Sequence, residues 1–328
     1  MAVLWSASSS WERPERLNHT PSPPHTVYLH RPTAEHAFAL PSHRRAPKTR
    51  FGVQSMAHGL LQGKRGIITG ALNEQSIAWK VAELAHAEGA RFVLTNAPVA
   101  MRMGEIKKLA DTTKAPVIPA DATNDADLEK LFNESVQQLG GPVDFLLHSI
   151  GMSPNVRKGR TYSDLNYEWY KQTLDVSAMS LHRMLQAANK VDAIAKGGSV
   201  VALTYIAAQR VFPDYNDMAD AKALLESITR SWGYRLGRDK KIRVNTVSQS
   251  PTMTTAGTGI KGFDGFFGFA DAMSPLGNAP AEACAEYCLA LFSDYTRYVT
   301  MQNLFHDGGF STTGVTPEVM AKFMGPEA

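Results

Sequence analysis

Cysteine is scarce in this sequence, and long apolar runs are absent. The two cysteines, Cys284 and Cys288, stand four positions apart, a spacing that places both on one face of a helix. A zinc site needs further ligands at close spacing, and none follow, so we predict two buried apolar side chains and no metal site. Low cysteine use is typical of a reducing compartment, and no run approaches the ~20 apolar residues of a membrane span. We therefore expect a cytoplasmic protein that does not enter the membrane.

A strong net charge is lacking as well. The formal net charge is +3, and residues 1–55 contribute seven basic and three acidic side chains, so the rest of the chain is close to neutral. A nucleic-acid-binding surface requires a basic patch on the folded domain. The sequence therefore predicts no nucleic-acid partner.

Residues 1–55 differ in composition from the rest of the chain. They hold seven of the 18 prolines and five of the ten histidines, with serine-rich patches and no periodic apolar face. Such a segment buries too little apolar surface to offset the entropy of ordering it, so we expect a disordered extension. Two interpretations remain open: a transit-like peptide, or an extension upstream of a true start at Met56, which we favour. The folded domain is then residues 56–328.

We expect a chain that begins at Met56 to keep full activity, because the segment removed is expected to lie outside the folded domain. The measurement compares turnover and unfolding of the full and the shortened chain. Loss of folding or of turnover on removal of residues 1–55 contradicts this expectation.

The start of the folded part has the pattern of a strand, a turn, a helix and a second strand. Short apolar runs at 64–70 and 91–95 predict buried strands, and apolar residues at helical spacing predict a helix over 76–88. Gly70 at the turn allows a phosphate to approach the backbone at the helix N-terminus, where Ser76 can cap the helix and donate to that phosphate. The full G-x-G-x-x-G motif is absent, so an ordinary strand-to-helix turn remains an equal alternative.

Strands and helices alternate along the rest of the chain without a break in composition. We predict further strands at 117–122, 143–151, 198–205, 242–248 and 299–306, and helices at 128–139, 167–195, 214–236 and 280–292. The segment 252–270, rich in glycine and phenylalanine, receives no assignment. Alternation of this kind is typical of parallel sheets covered by helices. The expected fold is α/β: a single Rossmann-like doubly wound parallel sheet with helices on both faces.

A tyrosine and a lysine, Tyr215 and Lys222, stand seven residues apart. This spacing equals two helical turns, about 10 Å, so the two side chains share one face of the predicted helix. A free phenol has a pKa near 10. A nearby ammonium group lowers that pKa, and the long lysine side chain can also reach ribose hydroxyls. By itself the spacing is common, and its plain alternative is a solvated lysine.

Several further motifs, each weak alone, are specific for one protein family when they are taken together. They are the turn Gly70-x5-Ser76-Ile77-Ala78, the segment His148-Ser149-Ile150-Gly151, Ala202 thirteen residues before Tyr215, Tyr205 ten residues before Tyr215, and the closing His306-Asp307-Gly308-Gly309-Phe310. With them the sequence resembles the short-chain dehydrogenase/reductases, and more closely their enoyl-[acyl-carrier-protein] reductase branch. The wider family has Asn-Asn-Ala-Gly in place of the second motif and a catalytic serine in place of Ala202. The resemblance covers residues 58–322.

This resemblance implies an activity and a catalytic set. The chain is expected to reduce the trans-2 double bond of enoyl thioesters with a nicotinamide hydride, which is the last step of the fatty-acid elongation cycle. Tyr215 would donate a hydrogen bond to the enolate oxygen, and Lys222 would hold the nicotinamide ribose. Tyr205 would line the acyl pocket and either orient the substrate or relay a proton. The division of labour between the two phenols stays open.

The resemblance also implies a cofactor and the residues around it. NADH is expected, with NADPH still open, because the second strand ends without an acid for the ribose and offers Arg102 as a partner for a 2′-phosphate. Asp121 is expected to accept a hydrogen bond from the adenine amino group. The residues implied to contact the cofactor are Gly70, Ser76, Ile77, Ala97, Asp121, Ala122, Ile150, Gly151, Lys222, Thr252, Met253, Thr254, Thr255 and Ala256.

Substrate residues and partners follow from the same resemblance. The implied substrate-binding residues are Ser153, Tyr205, Ile260, Phe263 and Phe266. The last three belong to a glycine-rich stretch that resembles the family's mobile substrate loop. The implied partner is an acyl carrier protein that bears an enoyl chain, and the implied assembly is a homotetramer.

Two other functions remain open. A 3-oxoacyl or carbonyl reductase of the wider family is disfavoured by Ala202, which has no hydroxyl group. A non-catalytic NAD(P)-binding sensor is disfavoured because Tyr205, Tyr215 and Lys222 are all present. One departure from the family is Lys80, where glycine is usual. This residue is compatible with tight packing of its helix on the sheet only if the side chain runs to solvent.

Overall fold

The computed structural model describes residues 58–258 and 262–324. The candidate extension over residues 1–55 and the predicted substrate residue Ile260 lie outside the described residues. The described residues belong to one compact unit, Ser55–Ala328. The start of the domain at Met56 stays a prediction.

Six strands form one parallel sheet in the described part of the chain. They are β1 (Arg65–Thr69), β2 (Arg91–Thr95), β3 (Val143–His148), β4 (Ile194–Thr204), β5 (Arg243–Gln249) and β6 (Asn303–His306). Their order across the sheet is β2-β1-β3-β4-β5-β6, and every neighbouring pair is parallel. Parallel neighbours require crossover connections, and this order is that of a doubly wound fold. The predicted fold class is confirmed.

Helices connect the strands. In chain order they are α1 (Ile77–Ala87), α2 (Pro98–Met103), α3 (Ile106–Thr113), α4 (Asp125–Leu139), α5 (Pro154–Arg157), α6 (Tyr167–Leu174), α7 (Ser180–Lys190), α8 (Asn216–Lys240), α9 (Thr255–Thr258), α10 (Phe263–Met273), α11 (Ala281–Phe292) and α12 (Pro317–Met320). A π-helical turn, Asp175–Met179, joins α6 to α7. Within the two described ranges, no helix is both long and apolar enough to cross a bilayer.

Each face of the sheet is buried in its own apolar cluster. Successive residues of a strand point to opposite faces, so Ile68 packs in the cluster with α1 and α11, whereas Ile67 packs in the cluster with α4, α7 and α8. Cys284 and Cys288 lie on α11 in the first cluster, and both are fully buried. The prediction that the two cysteines are apolar core residues is confirmed.

Lys80 on α1 reaches the surface, as tight packing of this helix requires. Its Nζ forms ion pairs with Glu83 at 3.4 Å and with Glu282 of α11 at 3.5 Å. The side chain therefore links the solvent edges of two helices without entering the core, and the helix keeps its buried face of small apolar residues.

Two segments differ from the predicted secondary structure. The predicted strand at 117–122 forms only a single bridge beside β2, between Val117 and Leu94. The amides of Ile118 and Ala120 donate to carbonyl groups of and after β2, at 3.0 and 3.1 Å, so the segment lies beside the edge strand without forming a strand of its own. The segment 252–270, left without assignment, contains α9 and most of α10. Its glycines and phenylalanines have low helix propensity, which conceals the helical pattern.

The sheet has one point at which the order of its strands reverses. From β1 the chain moves outward to β2 and then returns to β3 on the opposite side of β1. The segments that follow β1 and β3 therefore diverge at the carboxyl ends of the strands and leave a crevice, the usual ligand site of such folds. The segments that follow β4 and β5 begin at this same edge of the sheet, and they carry most of the other predicted site residues.

Candidate active site

The turn after β1 brings two backbone segments into close contact. Gly70 has a φ of +86°, a left-handed conformation that favours glycine, and its amide donates to the Thr95 carbonyl at 3.1 Å. A Cβ atom at this position would lie 1.9 Å from the Ser149 carbonyl oxygen, in the segment after β3. Only glycine fits at this point of the crevice.

Gly70→Ala is expected to destabilise the protein and to weaken cofactor binding, because the added methyl group collides with the main chain. Overpacking and a strained backbone each cost about 1–3 kcal/mol, so we expect the free energy of unfolding to fall by about 2–6 kcal/mol. Denaturant titration with and without NADH measures both effects. The matched control is Gly63→Ala, where φ is +74° but no atom lies within 4 Å of the added Cβ. Equal losses in the two variants would contradict the steric argument.

Ser76 lies at the N-terminus of α1, but its hydroxyl does not cap the helix. The oxygen accepts hydrogen bonds from the amides of Leu72 and Asn73, each at 3.2 Å, and donates to Asn73 Oδ1 at 3.3 Å. The predicted side-chain cap is therefore wrong, because the hydroxyl closes the preceding turn instead. Contact of Ser76 and Ile77 with a pyrophosphate stays a prediction, supported by their place at a helix N-terminus.

A cavity opens beside the ends of β1 and β2. Its lining includes four predicted cofactor residues, Ala97, Asp121, Ala122 and Ile150. The Asp121 carboxylate accepts hydrogen bonds from the amide and the hydroxyl of Thr123, at 2.9 and 2.8 Å, which fix its orientation. Thr123 belongs to the same lining and was not among the predicted residues. Mostly apolar walls with a few fixed polar groups suit a flat heterocycle such as adenine.

Tyr205 directly follows β4, and Lys222 reaches the carboxyl end of the same strand from α8. The two phenol rings pack with 5.2 Å between their centroids. Lys222 is buried on α8, and its Nζ donates to the Leu203 carbonyl at 2.8 Å. A Cβ added at Gly151 would lie 3.6 Å from Lys222 Nζ, so this glycine faces the ammonium group. The structure thus brings the two predicted phenols into contact, and it places the predicted lysine at the end of β4 beside one predicted cofactor residue.

Burial sets the acidity of the two phenols. It raises the pKa of Tyr215 above its ordinary value. It also raises the pKa of Tyr205, with smaller contributions from Tyr215 and Asp307. The expectation that Lys222 lowers the pKa of Tyr215 is therefore wrong, because desolvation of the phenolate raises that pKa. Both phenols keep their protons at neutral pH and can act as hydrogen-bond donors.

Burial has the opposite effect on the lysine, whose charged form is the protonated one. It lowers the pKa of Lys222 to about 8, against the opposing effect of Glu226 one turn later on α8. The Glu226 carboxylate accepts hydrogen bonds from the Thr204 hydroxyl at 3.1 Å and from the Gln209 side-chain amide at 3.0 Å. Lys222 is therefore charged at neutral pH and loses its proton slightly above it, while Glu226 ties the segment around Tyr205 to α8.

His148, the last residue of β3, is a core histidine. It is fully buried, and its Nε2 lies 2.8 Å from the Ser180 hydroxyl. Burial, assisted by the charge of Lys222, lowers the pKa of His148 to about 3. The imidazole is neutral at physiological pH and supplies no general acid for the reaction.

Aromatic rings surround Tyr205 and form a group that we call the aromatic cluster. Its members are Tyr205, Phe212, Tyr215, Phe266, Phe269 and Phe310. Phe266 of α10 lies 6.5 Å from Tyr205 between ring centroids, and its ring is nearly perpendicular to that of the tyrosine. The other predicted phenylalanine of this helix, Phe263, packs on Phe267 at 6.0 Å instead. Phe212, Phe269 and Phe310 were not among the predicted residues.

The segment after β5 reaches across the crevice to the turn after β1. The Thr255 hydroxyl accepts a hydrogen bond from Asn73 Nδ2 at 2.8 Å and donates to Gln75 Oε1 at 3.3 Å. The other predicted cofactor residues of this segment are Thr252, Met253 and Thr254, which directly precede α9, and Ala256, which lies within it. The arrangement places this segment over the crevice, where the diphosphate of a dinucleotide is expected.

Ser153 contacts a residue that the sequence reasoning missed. Its hydroxyl donates to Asp217 Oδ1 at 2.7 Å and accepts from the Val156 amide at 3.0 Å. Asp217 lies on the first turn of α8, two residues after Tyr215, and is fully buried. No local pattern marks a buried carboxylate whose partners lie 44 to 64 residues away along the chain. Contact of Ser153 with substrate stays a prediction.

A doubly wound sheet with a glycine turn at its switch point, a tyrosine directly before the helix that follows β4 and a buried lysine on that helix defines a short-chain dehydrogenase/reductase. The family model for enoyl-(acyl carrier protein) reductase matches residues 70–311. The chain belongs to the enoyl-(acyl carrier protein) reductase family.

Characterised relatives and solved structures agree with this assignment. The chain is 36% identical over 262 residues to the Rickettsia bellii enoyl-[acyl-carrier-protein] reductase [NADH] FabI, with 79% of this chain and 98% of the relative covered. It is 31% identical to the Bacillus subtilis protein of the same name, with 77% and 98% covered. The crystal structure of the FabI–NADH complex from Alistipes finegoldii is 62% identical, with a TM-score of 0.78 and with 79% of this chain and 92% of that chain covered. The resemblance described from the sequence is confirmed.

Proposed function

We propose that this chain reduces the trans-2 double bond of enoyl chains carried by acyl carrier protein, with NADH as the hydride donor. This reaction is the last step of each cycle of fatty-acid elongation. The observation that carries the proposal is the contact between two phenols, Tyr205 and Tyr215, after the strand at whose end Lys222 is buried. Relatives that cover most of this chain bear the name of this activity.

The residues of the crevice fit NADH. A Cβ at Gly70 would clash with the main chain, and the glycine therefore keeps the turn open where a pyrophosphate would approach. The cavity beside Asp121 suits adenine, and Gly151 leaves room next to Lys222 for the ribose and the nicotinamide. The residues proposed to hold the cofactor are Gly70, Ser76, Ile77, Ala97, Asp121, Ala122, Ile150, Gly151, Lys222, Thr252, Met253, Thr254, Thr255 and Ala256. When bound, NADH supplies the hydride.

Tyr215 is proposed to stabilise the charge that forms on the substrate. Addition of a hydride to the β-carbon of the enoyl thioester leaves negative charge on the thioester carbonyl oxygen. A phenol that keeps its proton donates a hydrogen bond to that oxygen, and burial keeps Tyr215 protonated by raising its pKa. The lower effective dielectric of the site makes this hydrogen bond stronger than it would be in water.

Tyr205 and Lys222 are proposed to have supporting roles. Among the described residues, none forms a hydrogen bond with the Tyr205 hydroxyl, so its proton is available to the substrate. Tyr205 then either orients the thioester or relays a proton to it. Lys222 donates to ribose hydroxyls and, through its charge, favours the negative oxygen beside Tyr215.

The aromatic cluster is proposed as the wall of the acyl site. Flat apolar rings exclude water and contact an alkyl chain without hydrogen-bonding demands. The residues proposed to contact the substrate are Ser153, Tyr205, Ile260, Phe263 and Phe266, to which the cluster adds Phe212, Phe269 and Phe310.

We further propose that the enzyme is a cytoplasmic homotetramer that receives its substrate from acyl carrier protein. Large exposed aromatic side chains on two adjacent helices support an interface between subunits: Tyr167 on α6 is 70% exposed and Tyr234 on α8 is 62% exposed. Sedimentation equilibrium of the purified chain tests the assembly, and a monomer at all concentrations would refute it.

The experiment that tests the activity follows the absorbance of the reduced nicotinamide with three pairs of reagents: a trans-2-enoyl thioester with NADH, the same thioester with NADPH, and a 3-oxoacyl thioester with NADH. Rapid oxidation with the enoyl substrate and NADH alone is the expected result. Oxidation only with the 3-oxo substrate would replace the proposal by a carbonyl reductase. That outcome is disfavoured because Ala202, where carbonyl reductases of this family carry serine, is fully buried on β4 and has no hydroxyl.

A further inference from the structure

Asp217 is a buried carboxylate that the reaction scheme does not use. It is fully buried, and its two oxygens accept three hydrogen bonds, from Ser153 Oγ at 2.7 Å, Asn155 Nδ2 at 2.8 Å and Thr173 Oγ1 at 2.8 Å. Among the described residues, no lysine, arginine or histidine forms an ion pair with it. Transfer of a carboxylate from water to a protein interior is costly, so a carboxylate held by neutral donors alone needs a structural or functional reason.

The donors come from the two elements that flank the active site. Ser153 and Asn155 lie in the segment that follows β3, and Thr173 lies on α6. The same segment begins with Gly151, which faces Lys222. Asp217 itself is on α8, two residues after Tyr215. One side chain therefore connects the cofactor side of the site to the helix that carries the ammonium group and directly follows the phenol.

The segment after β3 is also fixed from its other side. The Ser177 hydroxyl, on the π-helical turn, accepts a hydrogen bond from the Met152 amide at 2.9 Å and donates to the Met152 carbonyl at 3.0 Å. Residues 152 and 153 are thus both held by side chains, one from the π-helical turn and one from α8. Single-turn π segments occur frequently at functional sites.

The backbone around Tyr215 explains why α8 needs such support. The residues on either side of the tyrosine, Asp214 and Asn216, have φ values of 67° and 46°, in the left-handed region that is unfavourable for residues other than glycine. The Asn216 side chain donates to the Arg160 carbonyl, in the same loop that follows β3. Asp217 and Asn216 therefore bind the strained start of α8 to that loop at two adjacent positions.

We propose that Asp217 is a positioning residue, which holds the segment Gly151–Ser153 and the first turn of α8 in one fixed geometry. Through this connection Tyr215 keeps its distance and direction relative to the nicotinamide side of the site. The inference rests on the proposed function, because the spacing that it protects is the spacing between hydride donor and oxyanion donor.

The chain offers a matched pair of substitutions on this carboxylate. Ser153→Ala removes the bond that leads to the active site, at 2.7 Å. Thr173→Val removes a bond of similar length, 2.8 Å, from a hydroxyl whose other partner is the Trp169 carbonyl, so its contact beyond Asp217 stays within α6. We expect Ser153→Ala and Asp217→Asn each to lower kcat about tenfold or more, and Thr173→Val to change it less than about twofold, because small misplacements of reacting groups have large effects on rate. The stability losses of Ser153→Ala and Thr173→Val are expected to be similar.

A double-mutant cycle separates positioning from a direct contact of Ser153 with substrate. If Ser153 acts through Asp217, the double variant Ser153→Ala with Asp217→Asn has the kcat of the slower single variant. Multiplication of the two single effects would overturn the proposal, and so would a wild-type kcat in Asp217→Asn. If Asp217→Asn fails to fold, the comparison of Ser153→Ala with Thr173→Val decides alone, and equal kcat values in those two variants would overturn it.

A readout that does not depend on turnover keeps this test separate from the test of the proposed function. The fluorescence emission of bound NADH reports the surroundings of the nicotinamide. We expect the emission to shift in Ser153→Ala and in Asp217→Asn and to stay unchanged in Thr173→Val. A wild-type protein that binds NADH but reduces no enoyl thioester would refute the proposed function, while the emission of the three variants would still decide whether Asp217 positions the site. Identical emission in all three variants would overturn the inference.

Discussion

Tyr215→Phe is expected to lower kcat for enoyl reduction by about 10²–10³-fold, the usual effect of removing one donor from an oxyanion site. The variant keeps the ring, and therefore the tilted packing on Tyr205 at 5.2 Å between centroids. It also keeps the backbone bond from the Tyr215 amide to the Phe212 carbonyl. Folding and NADH affinity should consequently remain within about twofold of wild type, since only the hydrogen bond to the substrate oxygen is lost. Steady-state kinetics and a direct NADH titration measure the two effects separately.

Two further Tyr→Phe substitutions control this experiment. Tyr170→Phe removes a hydroxyl that donates to Asp220 at 2.8 Å on the outside of α8, and it should leave kcat nearly unchanged. Tyr205→Phe addresses the division of labour between the phenols: a loss in kcat as large as that of Tyr215→Phe would assign proton relay to Tyr205, and a loss confined to KM would assign orientation. Wild-type turnover in Tyr215→Phe would remove the tyrosine from the catalytic role proposed here.

Lys222→Met is expected to weaken NADH binding by about 10- to 100-fold, because hydrogen bonds from a charged donor contribute about 1.5–3 kcal/mol each. Methionine preserves the length and the apolar stem, so the buried stretch of α8 keeps its packing. The variant should also lower kcat, since the charge beside Tyr215 is lost. Unchanged NADH affinity would separate Lys222 from the ribose. A suitable control is Lys240→Met at the far end of the same helix, where the lysine pairs with Asp192 on the surface.

The pH profile gives a second test of Lys222. Its pKa in the free enzyme is lowered to about 8 by burial. The charged form binds the ribose, so kcat/KM for NADH should be constant below this value and should fall as the pH rises through about 8. Lys222→Arg keeps its charge at higher pH, and the fall should disappear or move upward in that variant. A flat profile for the wild type up to about pH 10 would contradict the protonated role of the lysine.

Much of the fold is predictable from the sequence where patterns are local and strong. The strand Arg91–Thr95 and the helix Ala281–Phe292 agree with the predicted 91–95 and 280–292 to within a residue. Prediction failed where local composition and tertiary environment disagree. Helix α10 has glycine at 265 and 268 and several phenylalanines, and it forms because the rings pack on Tyr205 and Phe310, contacts that are distant in sequence.

In the candidate site, too, local features were easier to predict from the sequence than features that depend on the tertiary environment. The two phenols, Tyr205 and Tyr215, pack on each other as their shared site requires. The shared helix face predicted for Tyr215 and Lys222 is wrong, because α8 begins at Asn216 and Tyr215 directly precedes it. The pKa of Tyr215 was predicted in the wrong direction, because a sequence contains the neighbouring charge but not the burial that opposes it. Asp217 could not be found by pattern, since its three donors come from two other elements of the fold.

The central claim is the transfer of hydride to the β-carbon of an enoyl thioester, and isotope transfer tests it most directly. The protein is incubated with an enoyl-acyl carrier protein and with NADH deuterated at C4 of the nicotinamide, and the acyl product is analysed by mass spectrometry and NMR. The account predicts a saturated acyl chain with one deuterium at the β-carbon and an unlabelled proton from solvent at the α-carbon. An enoyl chain returned unchanged, while a 3-oxoacyl chain acquires deuterium at its alcohol carbon, would contradict the account.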